Sequence, residues 1–573
     1  MIPAGAPLAA APIGALLAGA TAAAVVAVPP VRTQSAEPGV WLAEIIITPG
    51  PNAGPPPVTY LPLGMAPIAS PDRPGAMPGA AVPVLRVSDR GWIGEPEDSI
   101  APNAAYLGRL VEPPALEASL PLYPDAERRL ALSVGELRLA NGDGALDALA
   151  GDWTIAGRSV TLRRGAHRRP RHAPFSEMVP VAVLRAAAAA VGTDALALAL
   201  RPVAADLEGP ACATYTGAGG AEGPAALAGQ NKPRLYGRRR NVAPVLVDPG
   251  LLLHQLNDGP MQAIDAVRDR GVPLTNAGDL ASYAALAGAT VAAGTYRTCL
   301  AAGLFRVGAT PSLLTADAQG DNAAATGGYN TGSATSIARK LLAGLAGVSG
   351  FAAERWAWPA GECGLYLTGG AIAEAMSALA SGIGGWWGAD PAGGYQGGQL
   401  AAPESLPVAL YLEPSMLAAP PEEIGTPRAP WWRVRVGARA LGRLQAGEEL
   451  AGSVSAADRQ LYGQAYQAAV AFDPATFAAY PLAEDGPPLV SAFDLVGDAQ
   501  SLAAQLLELC KRPRRLFQVP MRPGAGGYAW PTLQLGACVS LRWPQRQALA
   551  SGRALIVAGV SARGDAATLT LWG

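Results

Sequence analysis

Three histidines, His167, His172 and His254, are the whole supply of imidazole in this sequence, and that scarcity limits what chemistry it can do. Ser–His and Cys–His nucleophile pairs and hydrolytic metal centres each need a histidine as base or ligand. No G-x-S-x-G, G-x-x-x-x-G-K-[ST] or H-E-x-x-H pattern occurs. A glycosidase needs only a pair of carboxylates, and nothing in the order of residues singles out such a pair. The reading is therefore non-enzymatic: no catalytic, cofactor-binding or metal-binding residue is assigned, and no cofactor is expected.

Two motifs invite a metal and do not hold one. Asn141-Gly142-Asp143-Gly144 suggests a calcium loop, but aligning Gly144 with the obligatory glycine puts Leu139 and Ala150 where carboxylates are required. A tight hairpin turn is the better reading, because Asn-Gly and Asp-Gly tolerate positive φ. The five cysteines, Cys212, Cys299, Cys363, Cys510 and Cys538, are far apart with no Cys-x-x-Cys among them. They read as reduced, mostly buried thiols, with neither a disulfide framework nor a zinc site.

Two basic clusters remain. Arg163, Arg164, Arg168, Arg169 and Arg171 with His167 and His172 form one, and Arg238, Arg239 and Arg240 the other. Each could meet phosphate, but the first has no aromatic before Phe175 on which a base could stack, so a solvated loop is preferred there. The formal net charge of -2 gives no global signal for nucleic acid or anionic membrane. Trp386-Trp387 and Trp431-Trp432 could stack on sugars or bases, but paired tryptophans in apolar surroundings more often anchor a core or an interface.

The elements that position these residues are short and mostly extended. Half of the 573 residues are hydrophobic and 15% are charged, enough for several cores. Gly (69) and Pro (53) are spread along the chain and punctuate many brief strands. Strands are expected at 40–48, 58–63, 82–87, 294–298, 304–307 and 539–543, and again from Arg553 to the end. Around Leu132, Val134, Leu137 and Leu139 the apolar parity changes at Gly135-Glu136, which a β-bulge inside a meander would explain. The Ala-rich stretch 181–200 is compatible with a helix or a strand pair. Helices are expected at 336–345, 371–380 and 498–510, with Asp498 as a cap, and a short one capped by Asp279. Between the meander half and the C-terminal half, 231–271 reads as a rigid crossing that ends in a hairpin turn at Asp269-Arg270-Gly271.

The expected fold is mainly β with a few short helices, multidomain, with barrel- or sandwich-like units. Its segments are an extended apolar N-terminal arm (1–39), a first β-rich domain (40–230), a central connecting β domain (231–330), an α+β domain (331–430) and a second β-rich domain with one helix (431–573). The arm carries no charge before Arg32 but lacks a basic start and is broken by Pro3, Pro7 and Pro12, so packing is preferred over membrane insertion.

Six segments taken in order resemble the baseplate or central tail hub family of siphophages and gene transfer agents. They are 119–165 (SLPLYPDAERRLALSVGELRLANGDGALDALAGDWTIAGRSVTLRRG), 232–248 (KPRLYGRRRNVAPVLVD), 258–275 (DGPMQAIDAVRDRGVPLT), 303–321 (GLFRVGATPSLLTADAQGD), 383–395 (IGGWWGADPAGGY) and 553–573 (RALIVAGVSARGDAATLTLWG). The resemblance implies a non-enzymatic virion protein, a homotrimer whose paired β-barrel-like domains continue a sixfold tube. Its implied partners are further copies of itself, the distal tail protein and tail tube, the tape measure protein and tail fibre or tip proteins, with transient contact to passing DNA and no stable membrane insertion. The implied location is the tail tip or baseplate, assembled in the host cytoplasm. With that family in view, Arg238–Arg240 become an interface or lumen-edge cluster. The alternative is a carbohydrate-binding or cell-wall-degrading tip protein that uses the tryptophan pairs.

Overall fold

The computed structural model describes residues 39–49, 84–124, 126–150, 153–166, 174–329, 332–523 and 534–573. The arm up to residue 38, the strand expected at 58–63, and His167, Arg168, Arg169, Arg171 and His172 lie outside them.

The fold is mainly β, as the density of short apolar runs and turn residues predicts. Seven antiparallel strands form the N-terminal sheet, in the order 84–88, 39–46, 159–166, 179–191, 195–202, 137–140, 110–112. A parallel bridge between Val87 and Leu107, just upstream of Leu110, brings the two edge strands together and curls the sheet towards a barrel. Gly39–Ile46 is buried on both faces. Trp41, Ala43 and Ile45 enter the main core, while Val40 and Leu42 meet a small outer cluster of Trp92, Tyr106, Phe175 and Met178.

The C-terminal sheet runs 408–412, 538–541, 553–563, 566–572, 516–521, 422–424. It also takes in two strands from far upstream: Leu116–Ser119 pairs with 559–562, and Ala131–Val134 pairs with Leu116–Ser119. One hydrophobic core contains Leu137, Leu162, Leu184 and Leu198 of the first sheet and Phe517, Val539, Leu555 and Leu569 of the second. Distant stretches of chain therefore share a single apolar interior.

The central stretch builds two five-stranded sheets. One has the order 272–273, 261–269, 314–320, 234–242, 364–367; the other 245–248, 253–255, 304–307, 295–299, 275–279. A third core gathers helices Ala334–Arg339, Ile372–Gly382 and Val496–Cys510, the hairpin 385–389/395–399, and a small sheet of 431–438, 467–472, 484–485 and 489–490.

Several expectations are corrected. Gly135-Glu136 is no bulge: the chain leaves one sheet at Val134 and enters another at Leu137, so the parity change marks a crossing between sheets. Asn141–Gly144 does not close a hairpin, because Leu137–Ala140 pairs with 195–198 and 110–112 rather than with the chain that follows. The Asn141 side chain instead accepts from Leu146 N–H at 2.8 Å and donates to Asp147 at 2.7 Å, folding the loop into a 3₁₀ turn. Asp279 caps no helix; it ends a strand, accepting from Thr298 Oγ1 and Leu300 N, and Ser282 caps the helix Tyr283–Gly288. Asp498 lies inside the first turn of Val496–Cys510, whose cap position is Leu495. Residues 340–345 continue the helix after Arg339 as a π-helical turn.

The structure decides the choice left open at 181–200, and the expected turn at 269–271 agrees with the fold. Residues 181–200 are a strand pair, Val179–Val191 with Ala195–Pro202. Met261–Asp269 is a strand whose hairpin turns at Arg270 (φ 51°) and Gly271 (φ 82°), both left-handed as a type I′ turn requires.

Candidate functional site

The arginine run lies on the strand Arg234–Val242, where alternation sends Arg238 and Arg240 to one side and Arg239 to the other. Arg240 donates from Nε and Nη2 to the two carboxylate oxygens of Asp494, at 2.6 and 2.7 Å. Arg238 lies 3.6 Å from Glu362, 3.8 Å from Asp265 and 3.9 Å from Asp494. Tyr329 donates its hydroxyl to Glu362 at 2.9 Å. The Arg239 side chain packs where Gly364 leaves room, and burial pushes its pKa down against the pull of Asp494.

A second bidentate pair continues this network. Arg268 donates to both oxygens of Asp317 at 2.8 and 2.7 Å, and Asp317 also accepts from Asn241 N–H. Burial pushes the Asp317 carboxyl up, but Arg268 and the Asn241 N–H outweigh it and hold the group below the ordinary carboxylate range. Asn241, at φ 51°, reaches across to Arg443 O at 2.7 Å. The charges of Arg238, Arg240 and Arg268 are engaged with neighbouring carboxylates, so these arginines work as a clamp. It ties the central strand to the segment carrying Asp494, whose side chain is 3% exposed.

The tryptophans are spent on packing as well. Trp387 is fully buried, donates from Nε1 to Ser377 Oγ at 3.0 Å and lies under the Arg129 guanidinium. Trp386 and Trp431 are 7% and 2% exposed, and Trp432, half-buried, leans on Phe477. Of the other basic cluster, Arg164 pairs with Asp565 at 2.7 Å and Arg163 lies over the Phe175 ring and 3.6 Å from Glu44. His254 is buried, stacks on Phe305 and is pushed down to about 4 by that burial. All five cysteines are free and buried. Among the described residues no group of three or more His, Cys, Asp or Glu is placed to hold a metal ion, and no helix is long and apolar enough to cross a membrane.

Sequence reasoning missed exposed apolar side chains in the small sheet and in the segment after it. Val470 (39%), Phe472 (60%), Phe477 (58%) and Leu482 (83%) face outwards. The only signal was the uncharged strand Gln467–Phe472, and its alanines on both parities hid which face is open.

This is a multi-sheet β protein whose conspicuous residues hold it together. No protein-family model matches the chain, and no curated protein matches it. Among solved structures it is similar to the 43 kDa tail protein of prophage MuSo2 from Shewanella oneidensis, at 10% identity and a TM-score of 0.34, over 82% of this chain and 93% of that one. It is also similar to a chain in the virion of a native gene transfer agent particle, at 16% identity and a TM-score of 0.39, over 60% and 84%. A tail protein from Neisseria meningitidis MC58 is similar at 10% identity and a TM-score of 0.36, over 80% and 91%.

Proposed function

We propose that this chain is a structural, non-enzymatic component of a phage-type tail tip or baseplate. In this reading it forms a homotrimeric hub ring that joins the end of the tail tube to the tip and fibres and frames the DNA exit channel. Its partners are then the distal tail protein, the tape measure protein and fibre or tip proteins. The observation that carries the reading is where the candidate binding residues are spent. Trp386, Trp387 and Trp431 are buried, and Arg238 and Arg240 face carboxylates of the same chain, Asp494, Glu362 and Asp265.

Such residues stiffen a body that transmits load and leave little for a glycan site, which needs exposed aromatic faces. The six ordered segments that resemble tail hubs support the same reading. We assign contact with passing DNA to lumen-facing surfaces of the assembled ring rather than to the clamped arginine run. Negative-stain images of the purified chain, or of tails that contain it, should show threefold rings. A chain that stays monomeric at micromolar concentration with its tail partners present would overturn the proposal.

A further inference from the structure

We propose that the open face of the sheet made by Trp431–Ala438 and Gln467–Phe472 docks, head to tail, on the loop from Ile93 to Ile100 of a second copy of this chain. The inference rests on the self-association proposed above and adds the two surfaces that make it. The register Arg433↔Phe472, Arg435↔Val470 and Gly437↔Ala468 puts these residues on one face of the sheet. Val434, Val436, Ala469 and Ala471 point the other way and are buried in the core that includes helix 496–510. Val470 and Phe472 are exposed on this face.

Gln467–Phe472 is also an edge strand without lysine, proline or any charge, so it lacks the features that keep edges from pairing. The face is positive as well. Arg433 and Arg435 share one carboxylate, Asp485, which Arg433 engages from Nε and Nη2 and Arg435 approaches at 3.1 Å. Two cations against one anion leave an excess that an acidic partner would neutralise.

The complementary surface lies in the barrel segment of the same sequence. Ile93 and Ile100 are 61% and 58% exposed, and Glu95 and Glu97 stand exposed between them with no ion pair to another described residue. The loop is held in shape: Asp98 accepts from the N–H groups of Ile100, Ala101 and Phe175 at 2.9, 3.1 and 2.7 Å. Trp92, Tyr106 and Phe175 pack as a cluster beside it. An apolar-acidic loop and an apolar-basic face are thus both exposed on one chain, so they do not cover each other within it. Between copies they fit as the two unlike halves of a heterologous contact, which gives a ring where its rotation closes and an open filament where it does not.

The test uses the full chain and sedimentation. Val470→Glu with Phe472→Glu breaks the face, and Glu95→Lys with Glu97→Lys breaks the loop. Each variant should weaken self-association about 100-fold at an unchanged melting temperature, which reports folding. Mixed, the two should form a one-to-one dimer and stop, because the mixture holds one intact loop and one intact face. Variants that keep the wild-type oligomer, or a mixture that stays monomeric, would overturn the contact while leaving a trimer standing. A wild-type chain that never self-associates would instead overturn the trimer itself.

Discussion

Asp494 joins the segment that carries it to the strand of the arginine run. It is almost inaccessible, and it receives Arg240 through two hydrogen bonds with Arg238 close by. Removing one partner of a buried pair leaves the other charge desolvated, which costs about 3 kcal/mol. Arg240→Met, which leaves the buried Asp494 without its bidentate partner, should therefore lower the unfolding free energy by about 3 kcal/mol, and adding Asp494→Ala should recover part of it. Urea titration of the single and double variants checks this; equal losses in both would show that the pair is not what holds the strand. The paired tryptophans were legible as packing residues from their apolar surroundings. The partners of the arginines were not, because Arg240 and Asp494 are 254 residues apart.

At the scale of elements, the strands 234–242 and 364–367 meet closer than side chains allow. They cross at Gly237 opposite Gly364. A Cβ on Gly364 would lie 1.7 Å from Arg238 O, and one on Gly237 would lie 1.9 Å from Cys363 O, with φ +64° besides. Gly364→Ala forces backbone apart, so it should destabilise by about 3 kcal/mol, the upper range for overpacking. A change below about 1 kcal/mol in chemical denaturation would mean that the strands can separate without loss. Many strands were visible as period-2 apolar runs, but which strands pair was not. The parity change at Gly135-Glu136 shows why: a bulge and a jump between sheets leave the same local pattern, and only the partner strand, 195–198 or 116–119, distinguishes them.

For the whole molecule, the shared core decides what folds with what. Leu116–Ser119 is hydrogen-bonded to the strand 553–563, and the two large sheets bury one set of apolar side chains. A fragment of residues 40–230 made alone would expose that half-core and should be insoluble or lack fixed tertiary structure. Co-expressed with residues 401–573, it should be recovered as a soluble complex. Circular dichroism and size-exclusion chromatography of the two preparations decide the matter, and a cooperative thermal transition in the isolated fragment would show that the core is not needed.

The sequence by itself determined the mainly β class, the burial of the cysteines, the hairpin turn at 269–271 and the order of segments that resemble tail hubs, because these depend on local periodicity, turn residues and residue counts. Only the tertiary structure decided that the arginine run is a clamp, that the upstream strands belong to the C-terminal sheet, and that one face of an alanine-rich strand stays open. These depend on which distant groups meet. A guanidinium is written the same way whether it faces solvent or a carboxylate brought from the far end of the chain.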